Sequence, residues 1–314
     1  MADAMEYRKL GKTDLNLSLI GFGGAALGGV YGNIEPGEGV RAVHLAVDNG
    51  INFFDTSPYY GITLAETRLG EALAGRRERV VLATKCGRYG FDQFDFSAKR
   101  VTASIDESLQ RLQTDYIDLF QVHDVEFGDV QQILHETLPA LRQLQKQGKA
   151  RYIGITGFPP KLLRRMAEAI PVDSILTYCH YNLINTAMDG VLAGFTKEHG
   201  IGLINASGLC MGLLTESGPP DWHPAPQEVR EAGKKAAEFC RARGADISKL
   251  ALRFCLDHPI ASSTLIGMST TREVETSLEL LRSPTDKELL AQVQAIFAPV
   301  FDYEWPSGRP ENQA

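Results

Sequence analysis

The chain has 314 residues, 44% hydrophobic and 23% charged, enough to bury one large α/β core or two ordinary ones. Its net charge of −7 excludes an extended nucleic-acid footprint, and no apolar run approaches the ~20 residues of a membrane span. Cys86, Cys179, Cys210, Cys240 and Cys255 are odd in number, widely spaced and without a CxxC pair. They read as free thiols in a reducing cytosol, and they exclude a disulfide frame or a zinc site. With no signal-peptide core at Met1–Lys9, the expectation is a soluble cytoplasmic protein with no metal.

In chain order, Tyr7–Leu10 and Leu15–Leu17 flank the turn-rich Gly11-Lys-Thr-Asp14, which predicts a short N-terminal β-hairpin. Apolar β runs then alternate with helical stripes. Strands are predicted near 17–22, 51–55, 80–85, 116–122, 152–156, 174–178, 202–205 and 264–267. Helices are predicted near 39–48, 64–73, 104–112, 133–144, 162–169, 187–197, 229–241 and 274–281. Gly50, Gly148, Gly200 and Gly244 stand where helices should stop.

No linker or composition shift divides the chain, so the pattern predicts an α/β fold of one domain over 1–314. The predicted form is a (β/α)8 TIM barrel with an N-terminal β-hairpin, with residues 1–5 and 302–314 as mobile tails. An open doubly wound sheet lacks support, because no strand runs into G-x-G-x-x-G before a helix. The cluster Gly21-Phe-Gly-Gly24 reads as a tight turn. The proline-rich stretch 214–227 is longer than an ordinary connection, and Trp222 within it predicts an ordered flap.

One stretch organises the rest. Ile51 to Phe54 is apolar enough for a buried strand. A carboxylate (Asp55), a Pro58-containing turn and Tyr60 follow directly, which suits a barrel mouth better than a core. Lys85 closes the third predicted strand and His123 follows the fourth. Adjacent strands lie ~5 Å apart, so these ends can converge. A tyrosine of reference pKa near 10 is a poor base at neutral pH until an ammonium stabilises its phenolate. A carboxylate orients that ammonium, and an imidazole can hydrogen-bond the same substrate oxygen. Nothing in this set carries a hydride, so a cofactor is implied.

Asp55, Tyr60, Lys85 and His123 match the tetrad of the aldo-keto reductase superfamily, which the chain resembles from Tyr7 to near Leu281. Within it the chain is most similar to the aldose dehydrogenase branch of plant L-galactose dehydrogenase type. The supporting segments are Asn52–Gly61, Ala83–Tyr89, Phe94–Val101, Ser104–Leu109, Tyr152–Gly157, Tyr178–Tyr181, Met211–Thr215 and Gly218–Pro224. The resemblance implies the barrel, a catalytic tetrad, and a dinucleotide held by Gly23, Asp55, Thr156, Tyr178, Ser207, Leu209, Gly212, Gly267, Ser269, Arg272 and Glu273. It implies sugar contacts at Tyr59, Arg88, Asp124, His180 and Trp222, with Asn182 a further candidate on the rim.

Departures from the common reductase pattern fall in the cofactor pocket. Thr156-Gly157 replaces a Ser-Asn pair, Tyr178 a glutamine, and Ala206 the tyrosine that stacks on nicotinamide. Tyr178 is therefore expected either to refill that volume or to line the substrate pocket. Gly267 and Glu273 stand where NADP-dependent relatives carry a lysine and an arginine on the 2′-phosphate, which makes NAD the expected cofactor.

The implied activity is oxidation of an aldose at C1 to its lactone, by a monomer or homodimer. L-galactose is the first candidate, and L-fucose or D-arabinose (D-threo-aldose) the next. An NADPH-dependent carbonyl reductase and a nucleotide-sensing regulatory subunit remain as alternatives. Cys86, next to Lys85, reads as a buried small hydrophobe, since no paired cysteine stands out.

Overall fold

The computed structural model describes residues 5–30, 32 and 35–313. An antiparallel hairpin, β1 (Tyr7–Lys9) and β2 (Asn16–Ser18), precedes a closed barrel. The barrel strands are β3 (Ile20–Gly23), β4 (Phe53–Asp55), β5 (Val81–Cys86), β6 (Ile117–Val122), β7 (Ala150–Gly157), β8 (Ser174–Tyr178), β9 (Gly202–Ala206) and β10 (Ser263–Gly267). All pair in parallel with the next, and β10 pairs with β3. Leu17 and Ser18, expected at the start of the first barrel strand, belong to the hairpin instead. The barrel strand begins after the Ser18 hydroxyl has turned the chain by donating to the Ile20 carbonyl at 2.6 Å.

The surrounding helices are α1 (Pro36–Asp48), α2 (Leu64–Ala72), α3 (Ala98–Leu112), α4 (Val130–Gln132), α5 (Leu138–Lys146), α6 (Pro160–Ala169) and α7 (Gly194–His199). After them come α8 (Gln227–Arg241), α9 (Ile247–Leu256), α10 (Thr271–Leu280) and α11 (Lys287–Phe297). A π-helical turn, Ile133–Thr137, joins α4 to α5 just before Pro139, which has no N–H to donate to the helical ladder.

Two helices were not expected from the pattern. In α9, Ile247, Leu250, Ala251, Leu252, Cys255 and Leu256 are all buried, so no single apolar stripe marks it. The other, α11, lies beyond the strand–helix repeat. Both have an aspartate N-cap, Asp246 accepting from Ser248 N and Asp286 from Leu289 N.

Side chains alternate across each strand, and this places the site. Phe53, Ala83, Leu119, Leu176, Ile204 and Leu265 share the barrel interior with Leu10, Leu15 and Leu17, so the hairpin plugs the N-terminal end. Gly21 is needed there: a Cβ on it would lie 2.7 Å from Leu265 Cδ2 and 2.8 Å from Phe53 Cδ1. Two residues further along the same faces stand Asp55, Lys85, Gln121, Tyr178, Ala206 and Gly267. The layer at the mouth is thus filled by large polar side chains on one side and left open by Gly23, Ala206 and Gly267 on the other.

The C-terminal segment is docked, contrary to the expected mobile tail, although residues 1–4 and 314 lie outside the described residues. Trp305 is buried against Phe158 and His223, with ring centroids 5.2 Å from each. Ser307 Oγ donates to Glu126 Oε1 at 3.2 Å, while Arg309 N and Asn312 Nδ2 donate to the Glu126 carbonyl at 2.9 and 2.8 Å.

Glu126 is fully buried. Its Oε1 also accepts from Phe158 N (3.1 Å) and Tyr178 OH (3.2 Å). Burial, then the neighbouring Asp124, outweigh these donors and push its carboxyl up to about 8. A carboxyl whose folded pKa is raised stabilises the fold fully below its unfolded value of 4.5, and that stability is lost as pH rises to about 8. Thermal denaturation should therefore show a Tm that falls across this window in the native protein and much less in Glu126→Gln. An equal slope in the two proteins would refute the assignment.

Candidate active site

Lys85 is the centre of the mouth. Although 1% exposed, its Nζ is enclosed by acceptors: an ion pair with Asp55 Oδ1, the Thr56 carbonyl at 2.8 Å and the Tyr60 hydroxyl at 3.4 Å. Gln121 Nε2 donates to Asp55 Oδ2 at 2.9 Å, so both carboxylate oxygens are engaged. Burial raises the Asp55 carboxyl above its ordinary range, while Lys85 and Gln121 act in the opposite direction. Tyr60 is delivered by the turn after β4, with its N–H donating to the Ser57 carbonyl at 3.1 Å. The turn packs so tightly on the strand-to-helix segment after β3 that a Cβ on Gly61 would lie 2.2 Å from the Gly28 carbonyl oxygen. Gly61 also has a φ of 62°, so glycine is required there.

His123 begins just past β6, where its N–H donates to the Cys86 carbonyl at 2.8 Å. Its Nδ1 is 3.0 Å from Ser57 Oγ, and its ring stands edge-on to Tyr60 at 5.6 Å between centroids. Burial, with the Lys85 and Arg88 charges, lowers its pKa to about 3 against the pull of Asp124. The imidazole is neutral.

The adjoining wall is charged. Asp124, buried and in the left-handed conformation (φ 49°), pairs through Oδ2 with Arg88 Nη1 at 2.5 Å. The Arg88 guanidinium lies 3.9 Å above the Tyr59 ring. Tyr59, Arg88 and Asp124 therefore gather beside His123.

Other residues are placed differently. Thr156 is buried, its Oγ1 accepts from Asp124 N at 3.3 Å, and it is not among the residues lining the large cleft. Tyr178 turns its ring towards Phe158 and its hydroxyl to Glu126, away from the large cleft; of its two expected places only the one beside Asp124 is occupied. His180 is wholly buried against Phe158 with Nδ1 2.8 Å from the Tyr178 carbonyl, and Asn182 folds back on the Cys179 carbonyl. Neither reaches the rim. Arg272 is exposed and outside the cleft wall, and Trp222 lines that cleft rather than the charged wall.

Sequence reasoning missed Ser57, Gln121 and Glu126. Strand alternation carried the signal for Gln121, two residues past interior Leu119, whereas nothing local marks Glu126.

From the Tyr60 hydroxyl a cleft of about 900 Å³ runs across the open side of the barrel end. Its walls are Gly23 to Ala26, Ser207 to Leu209 with Met211 and Gly212, Pro219, Pro220 and Trp222 of the long loop, and Gly267, Ser269, Thr270 and Glu273. The long loop is ordered through buried His223 rather than through Trp222, which is 58% exposed. His223 bonds the Cys210 carbonyl at 3.0 Å and Ala225 N at 3.0 Å.

A Cβ on Gly267 would meet no atom within 4 Å, so the cleft is kept clear there for a flat or extended group. At its far end α10 begins with a capping box. Glu273 Oε2 accepts from Ser269 N (2.8 Å), Thr270 N (2.9 Å) and both hydroxyls, placing a carboxylate of the protein where the helix N-terminus would attract an anion. The size, the glycine-lined approach and the polar far end fit an extended dinucleotide that brings one ring to Tyr60. Among the described residues no cluster suits a metal ion, and no helix is long and apolar enough to cross a membrane.

Residues 19–298 match the model of the aldo/keto reductase family. The chain is 47% identical to L-galactose dehydrogenase of Arabidopsis thaliana, over 98% of this chain and 99% of that protein. It is 32% identical to D-arabinose 1-dehydrogenase of Saccharomyces cerevisiae, over 85% and 87% of the respective chains. Among solved structures, an aldo-keto reductase from Bacillus halodurans in its holo form superposes with a TM-score of 0.77 at 25% identity, covering 99% of this chain and 100% of that one. With tetrad, barrel and family match in agreement, this chain belongs to the aldo/keto reductase family.

Proposed function

We propose that this protein oxidises an aldose at C1 to its lactone with NAD, and that the sugar is L-galactose, yielding L-galactono-1,4-lactone. The observation that carries the chemistry is the Lys85 Nζ to Tyr60 hydroxyl contact of 3.4 Å at the head of the dinucleotide-sized cleft. Near-full-length similarity to L-galactose dehydrogenase supports the sugar.

In this mechanism the Tyr60 phenolate, stabilised by the Lys85 ammonium, takes the proton from the anomeric hydroxyl. Asp55, Gln121 and the Thr56 carbonyl hold Lys85 charged and aimed. Donation from the Ser57 hydroxyl to His123 Nδ1 leaves the imidazole proton on Nε2, which donates to the same sugar oxygen. Asp124, Arg88 and Tyr59 bind the remaining hydroxyls. A nicotinamide dinucleotide held in the cleft would supply the hydride acceptor for C1. Gly23, Ser207, Leu209, Gly212, Gly267 and Ser269 line its path, and Trp222 shields it from the loop side. The five buried thiols support a cytoplasmic setting.

Glu273 supports NAD over NADP, because a 2′-phosphate would approach a carboxylate already bound at the α10 N-terminus. Glu273→Gln keeps a capping partner and removes the charge. It should shift the ratio of kcat/KM values about fivefold towards NADP, one such charge being worth about 1 kcal/mol; an unchanged ratio would refute the role.

Tyr60→Phe should lower kcat by about 10² to 10⁴-fold, the usual share of general acid–base catalysis, with dinucleotide Kd nearly unchanged. Turnover within tenfold of the native rate would sink the assignment. The kcat/KM profile between pH 5 and 8 should show no inflection belonging to His123, whose pKa of about 3 lies well below that range. An inflection near 6.5 that vanishes in His123→Asn would contradict the neutral imidazole. NADH production across L-galactose, L-fucose, D-arabinose and L-gulose identifies the sugar, and preference for D-arabinose would favour the activity named for the yeast relative.

A further inference from the structure

The far end of the cleft holds two carboxylates, and one of them comes from the opposite end of the chain. Glu38 stands in the first turn of α1, 233 positions from Thr271 at the start of α10. Its Oε1 accepts from Thr271 N at 2.6 Å and from the Thr271 hydroxyl at 2.7 Å. Strand β10 pairs with β3, so the helices that follow them, α10 and α1, pack side by side and can be clasped in this way.

Together the two carboxylates occupy what would otherwise bind an anion. A phosphate at a helix N-terminus is held by free backbone N–H groups, with neighbouring hydroxyls adding donors. Here the N–H and hydroxyl of Ser269 and of Thr270 donate to Glu273 Oε2, and those of Thr271 donate to Glu38 Oε1. The Glu273 N–H is taken in turn by the Thr270 hydroxyl at 3.2 Å. Ser269, Thr270 and Glu273 line the cleft, so this saturated surface faces whatever lies in it.

The charges nearby do not cancel the effect. Arg41 Nη2 lies 2.8 Å from Glu38 Oε2 and 3.2 Å from Glu35 Oε2, so its cation is engaged by two carboxylates on the same helix. Arg272 is exposed and outside the cleft wall. The Thr271 donors, then Arg41, draw the Glu38 carboxyl down to about 2, which keeps it ionised at neutral pH.

We propose that Glu38 is a second determinant of nucleotide choice: by holding Thr271 it withholds the α10 N-terminus from a ribose 2′-phosphate, and its charge repels that phosphate. The role rests on the dinucleotide reading of the cleft and adds to it a residue from α1. An adenosine ribose that carries only hydroxyls brings no charge to this end, so it meets no repulsion and needs none of the occupied donors.

A discriminating charge has a signature that a packing contact lacks. Loosening α1 from α10 weakens both nucleotides alike, whereas removing a charge changes the ratio of their affinities. The discrimination is also screened by salt, since the group is near the surface.

The test measures Kd for NADH and for NADPH by fluorescence, with the purified full-length protein. Glu38→Gln keeps an acceptor for Thr271 and removes the charge. It should lower the ratio of the NADPH Kd to the NADH Kd about threefold, less than Glu273→Gln because Glu38 is also paired with Arg41. Adding it to Glu273→Gln should lower the ratio further than either change alone. Glu38→Asp restores the charge and should stay closer to the native ratio than Glu38→Gln. Raising the salt concentration should narrow the native ratio more than that of the double variant. An unchanged ratio in Glu38→Gln, with both nucleotides weakened together or neither affected, overturns the proposal while leaving the dinucleotide reading intact. A native protein that binds neither nucleotide overturns both.

Discussion

The ion pair between Lys85 and Asp55 is the constraint on which the mouth of this barrel depends. Removing two such charges from water costs several kcal/mol per ion, and the attraction between them repays that only when the remaining donors and acceptors are satisfied. Here they are: Gln121 occupies the second Asp55 oxygen, and the Thr56 carbonyl and Tyr60 hydroxyl complete the ammonium. The arrangement does not add stability cheaply. It holds one phenol beside one cation in a place that water barely reaches, which is what moving a proton from an alcohol requires.

The charged wall beyond it extends the same logic outward. Arg88 pairs with Asp124, and burial, with Asp124 beside it, makes Glu126 a reluctant anion. Glu126 carries the C-terminal segment through its side chain and its carbonyl together, so the last residues of the chain fasten to the loop that bears His123 and Asp124. The polar half of the mouth is therefore braced from beneath by β4 to β6 and from above by the C-terminal segment. The other half stays open because Gly23, Ala206 and Gly267 contribute almost no side chain. A sugar on the braced half and a ring on the open half would meet at Tyr60.

Selection along the cleft comes from groups of the chain that are already engaged. Glu273 is bound by the first residues of α10 and needs no ligand to hold it at the far end of the cleft. On the opposite wall, the left-handed turn containing Cys210 is tied to the long loop through His223. Local strain and the wall of the cleft thus coincide in one short segment.

By itself the sequence determined the barrel, the hairpin that plugs it and the four polar residues at the mouth. Each follows from a local rule: apolar runs of strand length, stripes at helical spacing, and polar residues where a strand ends. The same rules had no purchase on α9, buried almost all round, or on α11 outside the repeat. Tertiary structure alone decided that Thr156, His180 and Asn182 support the mouth from behind, that Tyr178 faces Glu126, and that Arg272 stays outside the cleft. It also decided that residues 302–313 dock through Trp305 and Asn312. For Thr156, Tyr178 and the docked C-terminal segment the partner lies far away in sequence, and closing the barrel is what brings the two together. A residue's neighbours along the chain specify its strand and its face, but not what stands across from it.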